Sequence, residues 1–256
     1  MSAPAGVAAA LELGRAIRSG PRRALGLYLV PGYPDWPTSV AAVRAAVAAG
    51  VAFVEFPVIA APTWSPRTGP VIARALGHLL AHPDAAGRRD WLAAAGPRVA
   101  VVYESAWPAP DQWRIPAEGA AGLLLEHSAP APEAWAAAAA GHGAFLVPAL
   151  RAGAPGLTPG ERDVLGHGAG FVYLAMGART GQWDAGPGQV AAKLAAVAAE
   201  RPDLPVCCAF GLSSPADLER LPPGCDGAIV GSAALEHLER GLDRFTGWLH
   251  AMLAAA

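Results

Sequence analysis

The 256-residue chain has few charged residues and no run of basic ones. Asp, Glu, Lys and Arg make up 16% of it, the formal net charge is −2, and the Arg residues are scattered. Proteins that bind nucleic acid gather Lys and Arg on one face to contact phosphates. The composition therefore argues against a nucleic-acid partner.

Long apolar runs and frequent cysteines are also missing. No apolar stretch reaches the length of a membrane span, and the first residues lack the apolar segment of a secretory leader. The three cysteines, Cys207, Cys208 and Cys225, are an odd number without the spacing of a metal site. We expect a cytoplasmic protein with reduced, buried thiols, no metal, no cofactor and no membrane contact.

What the chain does have is a regular alternation of short apolar runs with helix-length segments. Eight runs have the length of buried strands: Leu25–Val30, Ala52–Val58, Val99–Tyr103, Gly122–Leu125, Phe145–Val147, Phe171–Leu174, Val206–Ala209 and Gly227–Val230. Strands that alternate with helices pair in parallel, because each crossover returns the chain to the same end of the sheet. Eight such units, without a glycine-rich dinucleotide fingerprint after the first, favour a closed barrel over an open sheet.

The predicted fold is therefore an α/β protein, a TIM (β/α)8 barrel forming a single domain over residues 1–256. We expect an extra helix near Ala8–Ser19 and one last helix over Ala233–Leu253. The third helix should be degenerate, because the connection Ser105–Ala120 contains three prolines. Barrel enzymes carry their chemistry at the carboxyl ends of the strands, so the residues there are the candidates for function.

The second run carries a carboxylate in an otherwise apolar strand. Seven of the eight residues in VAFVEFPV are apolar, the exception is Glu55, and the following loop, IAAPTWSPRTGP, has no Asp or Glu. Burial raises the pKa of a carboxyl group, which suits a general acid/base near neutral pH. The structural alternative is an ion pair between Glu55 and a nearby cation such as Arg67.

Glycine-rich loops follow the last three strands, in ARTG, FGLSS and VGSA. Gly211 and Gly231 let backbone N–H groups approach an anion closely, and Ser232 opens a helix whose N-terminus favours negative charge. Together they predict a phosphate site at the end of the barrel. The alternative is that Ser213 and Ser232 are ordinary helix caps.

These segments resemble the tryptophan synthase α subunit family. The resemblance is carried by YLVPGYPDWPTSVAAVRAAVAAGVAFVEFPV, FVYLAMGARTG and CAFGLSSPADLERLPPGCDGAIVGSAALEHLE, and it runs from about Leu25 to Leu238. That family cleaves indole-3-glycerol phosphate into indole and glyceraldehyde 3-phosphate by a retro-aldol reaction. The resemblance implies a carbon–carbon lyase of tryptophan biosynthesis, or one of altered specificity in secondary metabolism.

The resemblance also implies roles for individual residues. Glu55 would be the general acid/base, Tyr103 would line the indole pocket, and Thr180 would anchor the loop after strand six. The implied phosphate site consists of Gly181, Gly211, Gly231 and Ser232. A tryptophan synthase β-like subunit would contact the loops after strands two and six.

One departure from the family lies in the loop after Glu55. The family carries an Asp just before Gly-Pro that accepts the indole N–H, whereas this chain has Thr68 there, preceded by Arg67. A hydroxyl has no charge, so much of the transition-state stabilisation should be lost. Three residues at other strand ends are candidate substitute acids or bases: Glu104, Glu126 and His127.

Three hypotheses remain open at this stage. In the first, the chain is a lyase of altered specificity, in which residues such as Trp64 and Arg67 form a different subsite for the organic half of the substrate. In the second, it cleaves indole-3-glycerol phosphate, and another residue replaces the missing Asp. In the third, it is a catalytically weak scaffold. The scaffold would bind a phosphorylated metabolite or a partner protein. The presence of Glu55 favours chemistry, because a buried carboxylate without a task is costly.

Overall fold

The computed structural model describes residues 5–103, 119–125 and 131–256 of the chain. The strands are β1 Ala24–Tyr28, β2 Phe53–Val58, β3 Arg98–Val102, β4 Gly122–Leu125, β5 Phe145–Leu146, β6 Ala149–Arg151, β7 Val172–Ala175, β8 Val206–Ala209 and β9 Gly227–Val230. The helices are α1 Ala5–Arg18, α2 Trp36–Ala48, α3 Pro70–Ala81, α4 Ala85–Ala94, α5 Pro132–Gly141, α6 Pro159–His167, α7 Pro187–Glu200, α8 Pro215–Glu219, α9 Ser232–Glu239 and α10 Leu242–Ala255.

The strands form one parallel sheet that closes on itself. Their order is β5-β4-β3-β2-β1-β9-β8-β7-β6, so the two outermost strands are consecutive in the chain. Only Val147 and Pro148 separate them: the Val147 N–H donates to Leu123 on β4 at 2.8 Å, and the Pro148 carbonyl accepts from Tyr173 on β7 at 2.9 Å. The segment from β5 to β6 is therefore hydrogen-bonded to β4 on one side and to β7 on the other, so the sheet is closed. This confirms the predicted barrel.

The predicted fifth strand, Phe145–Val147, differs from the structure because it consists of two parts. Pro148 has no N–H to donate, so the ladder is interrupted there and resumes in β6. Arg151 therefore belongs to a strand and not, as the apolar run indicated, to the following loop.

The helices agree with the predicted alternation, with two differences. The extra N-terminal helix is present as α1, but α4, which Asp84 caps through the Ala86 N–H at 2.9 Å, was not predicted. The single helix expected over Ala233–Leu253 is wrong: α9 and α10 are separated at Gly241, whose φ of 112° is incompatible with a helix. The degenerate third helix falls almost wholly on residues outside the described ranges.

The interior of the barrel and the layer beneath its helices are apolar. All three cysteines are free thiols and buried, as the sequence predicts. Within the described ranges, no helix combines the length and the hydropathy that a membrane crossing needs.

At the carboxyl end of β1, Asp35 caps α2 by accepting from the Thr38 N–H at 2.8 Å, which fixes the first loop above the barrel.

Candidate active site

A cavity of about 110 Å³ lies at the carboxyl end of the strands. Seven of the candidate residues named from the sequence line it: Glu55, Tyr103, Thr180, Gly181, Gly211, Gly231 and Ser232. They come from distant parts of the chain and meet because the parallel strands all end at the same mouth. The other three candidates, Glu104, Glu126 and His127, lie outside the described residues.

Glu55 lies on β2 and is almost completely withdrawn from solvent. It is 2% exposed, its Oε1 has no hydrogen-bond partner, and burial raises its pKa to about 8. None of the ion pairs between described residues includes Glu55, so the alternative of a pair with Arg67 is not found there. The carboxyl group is therefore mostly protonated at neutral pH and can donate a proton.

Tyrosines surround this carboxyl group. Tyr28 is the register partner of Glu55 on the neighbouring strand, and its hydroxyl lies 2.8 Å from the hydroxyl of Tyr103. Tyr173 enters the cavity from β7, and burial, with a smaller contribution from Glu55, raises its pKa well above the usual value. Tyr28 and Tyr173 were missed from the sequence, although each lies in or at the end of a predicted strand run.

The loop after β2 is fastened to the loop after β7. The Thr180 N–H donates to the Arg67 carbonyl at 2.9 Å, and the Thr180 hydroxyl accepts from the Gly69 N–H. Arg179 adds a bond from its Nε to the Pro66 carbonyl at 3.1 Å. These bonds hold Arg67 and Thr68 against the cavity that Glu55 lines.

Three glycine loops and a helix N-terminus also line the cavity, and one of these loops is the loop after β7 that contacts the Arg67 carbonyl. Gly181 and Gly211 have φ values of 85° and 72°, which side chains rarely adopt. A Cβ placed on Gly181 would lie 3.7 Å from the Ser232 hydroxyl, so the loop after β7 reaches the start of α9. Backbone N–H groups near a helix N-terminus suit a phosphate.

Gly211 provides a specific test of this subsite. A Cβ at this position would lie 2.4 Å from the Trp183 backbone nitrogen, so Gly211→Ala must displace one of the two loops. We expect binding of glycerol 3-phosphate, measured by calorimetry, to weaken roughly tenfold or more. Gly188→Ala is the matched control, since nothing lies within 4 Å of its added methyl group. Equal affinity in the two variants would contradict a phosphate site at Gly211.

Comparison with known proteins identifies the family. A family model described as "Tryptophan synthase alpha chain" matches residues 154–254. The tryptophan synthase alpha chain of Mycobacterium tuberculosis is 34% identical over 260 residues, which cover 92% of this chain and 93% of the relative. This chain belongs to the tryptophan synthase alpha chain family.

Further relatives of the alpha chain family agree in sequence and structure. The tryptophan synthase alpha chain of Carboxydothermus hydrogenoformans is 29% identical over 249 residues, covering 87% of this chain and 86% of the relative. Among solved structures, an aminoacrylate-bound form of tryptophan synthase from M. tuberculosis matches with a TM-score of 0.75 and 29% identity, covering 95% of this chain and 98% of that one. The alpha chain family cleaves indole-3-glycerol phosphate, which is lyase chemistry.

Within this alpha chain framework, two further residues escaped the sequence analysis. Arg151 pairs in register with Ala175 and lines the cavity, but the expected strand ended before it. Phe210 lines the cavity with a φ of 76°, an uncommon value for a non-glycine residue, and meets Tyr173 edge to face. A positive φ at a residue other than glycine leaves no signal in the sequence, and Pro148 interrupts the apolar run before the strand that carries Arg151.

Proposed function

We propose that this chain is a carbon–carbon lyase that performs the retro-aldol cleavage of indole-3-glycerol phosphate or a related phosphorylated substrate. One observation carries the proposal: the buried Glu55, whose Oε1 has no partner, lines the same cavity as the glycine loops and the start of α9. An isolated acid and an anion subsite that share one cavity suit a phosphorylated substrate with a reacting carbon chain.

In this mechanism the phosphate is bound by backbone N–H groups around Gly181, Gly211 and Gly231, with Ser232 at the positive end of α9. The organic half then extends toward Glu55 and Tyr103. The phosphate contributes binding energy and fixes the reacting carbon near the acid.

Glu55 would act first as an acid and then as a base. Its protonated carboxyl group donates a proton to the indole ring carbon that carries the side chain, which makes the ring electron-deficient. The resulting carboxylate removes the proton of the adjacent hydroxyl, the carbon–carbon bond breaks as a carbonyl forms, and indole and glyceraldehyde 3-phosphate leave. Glu55 ends with one proton, as it began, and its pKa of about 8 suits both steps near neutral pH.

A second candidate function is favoured by the loop after β2. Thr68 and Arg67 line the cavity where the family resemblance places a carboxylate. Without that charge the chain could be a catalytically weak homologue that binds a phosphorylated metabolite or a protein partner. A substitute acid or base from Glu104, Glu126 or His127 would restore the first function.

The two candidates are separated by incubating the protein with indole-3-glycerol phosphate and measuring indole and glyceraldehyde 3-phosphate. The lyase releases both products in equal amounts, and glycerol 3-phosphate inhibits their release competitively. Protection of the fold by glycerol 3-phosphate without indole release would instead favour the metabolite-binding homologue. Absence of both effects would overturn the proposed phosphate site.

We also propose a tryptophan synthase β-like subunit as the protein partner to test. The surface in question consists of the loops after β2 and β7, which the bonds of Thr180 and Arg179 hold together. The loop after β2 lacks the family's acidic residue, so we expect weaker association than in the family. Analytical ultracentrifugation of a mixture of the two proteins measures the dissociation constant of the complex.

A further inference from the structure

Two arginine side chains belong to the cavity but have no place in the mechanism above. Arg67 enters from the loop after β2, and Arg151 enters from β6. Both are half-buried, and β2 and β6 are not neighbours in the sheet, so the two residues approach the cavity from different sides. A guanidinium group that lines a cavity is a suitable partner for an anionic ligand, because its N–H groups form strong hydrogen bonds with carboxylate and phosphate oxygens.

Nothing in the described part of the chain supplies that anion. None of the ion pairs between described residues includes Arg67 or Arg151. Glu55 is the one acidic residue among the described residues of the lining, and its pKa of about 8 leaves it mostly uncharged at neutral pH. Among the described residues of the lining, these two positive charges are therefore not offset by an acidic side chain.

The substrate's phosphate does not require these charges. The proposed phosphate subsite is made of the loops after β7, β8 and β9, and it uses backbone N–H groups and a helix N-terminus. Arg151 lies on β6 and Arg67 follows β2, so neither belongs to those three loops. The planar guanidinium group is suited to binding a carboxylate with two parallel hydrogen bonds.

We infer that the organic half of the substrate carries a carboxylate, bound by Arg67 and Arg151. This inference rests on the proposed function, because it names the substrate class of the same site. The substrate would then have an anion at each end, a phosphate on the glycine loops and a carboxylate between the two arginines. The reacting carbons lie between them, beside Glu55.

The experiment compares uncharged indole with indole-2-carboxylate and indole-5-carboxylate. Binding is measured by calorimetry in the presence of glycerol 3-phosphate, so that the phosphate subsite is filled. We expect at least one carboxylate to bind roughly ten- to a hundredfold more tightly than indole. Arg67→Gln and Arg151→Gln should each remove most of that preference, measured as the ratio of the carboxylate affinity to the indole affinity of the same variant.

Arg44→Gln serves as the charge-matched control, because Arg44 is exposed on α2 and outside the cavity. It should retain the full preference for the carboxylate. The inference is overturned if both carboxylates bind no better than indole. It is also overturned if the arginine variants keep the preference for the carboxylate. The same holds if they weaken the binding of glycerol 3-phosphate instead, because the arginines would then bind the phosphate.

Failure of the inference can be distinguished from failure of the proposed function. Binding of glycerol 3-phosphate alone, and its loss in Gly211→Ala, depend on the phosphate subsite and not on the arginines. If that binding is present and the carboxylates show no advantage, only the inference fails. If glycerol 3-phosphate does not bind, the proposed function fails as well.

Discussion

Replacing Glu55 with Gln is expected to lower the rate of indole release by roughly 10²–10⁴-fold, the usual contribution of a general acid or base. Gln has nearly the same shape but can neither donate nor accept the transferred proton, so the cavity and the phosphate subsite remain. Indole release at saturating indole-3-glycerol phosphate measures the loss. Binding of glycerol 3-phosphate should be unchanged.

The same substitution should stabilise the fold at high pH. Burial raises the pKa of Glu55 from 4.5 to about 8, so between these values the folded chain keeps a proton that the unfolded chain releases. The contribution of Glu55 to the free energy of unfolding is therefore fully present below pH 4.5 and is lost as the pH rises toward 8, by on the order of 5 kcal/mol. Gln has no proton to lose, so Glu55→Gln avoids the decrease.

Urea unfolding at pH 5 and pH 8.5 measures the effect. The difference in unfolding free energy between Glu55→Gln and the unchanged chain should grow by several kcal/mol across this interval. The exposed Glu219→Gln is the control and should show no comparable change. A constant difference for Glu55→Gln would mean that Glu55 is ionised in the folded chain, which contradicts its proposed role as an acid.

Thr68→Asp is expected to raise indole release from indole-3-glycerol phosphate by roughly 10²–10³-fold. Thr68 lines the cavity with Glu55, at the position where the family resemblance places an Asp. A carboxylate there accepts the indole N–H and offsets the positive charge that the ring acquires on protonation. The Thr68 hydroxyl has no charge with which to do this.

Thr68→Asn is the matched control, because Asn has the shape of Asp without its charge. It should leave the rate near that of the unchanged chain. If Thr68→Asn raised the rate as much as Thr68→Asp, the shape of the loop rather than its charge would limit the reaction. If neither variant raised it, another residue would already supply the charge, and Glu104, Glu126 and His127 would be the residues to replace next.

Local patterns were sufficient to predict most of the architecture. Strand runs alternate with helical segments along the chain, and that alternation led to the barrel. Glu55 was identifiable because one carboxylate within an apolar strand contradicts the local pattern. The glycine loops were identifiable because glycine lets backbone N–H groups approach an anion closely. The last two signals each lie within a short stretch of the chain.

The contents of the cavity depended on the tertiary structure. Three features follow from the register in which the barrel closes. The chain passes from β5 to β6 across the closure, the Tyr28 and Tyr103 hydroxyls lie within hydrogen-bond distance, and Arg151 lies on a strand that lines the cavity. The break between α9 and α10 likewise became evident only from the backbone at Gly241. Sequence patterns record which face of a strand is apolar, but residues far apart in the chain become neighbours only when hydrogen bonding between strands sets that register.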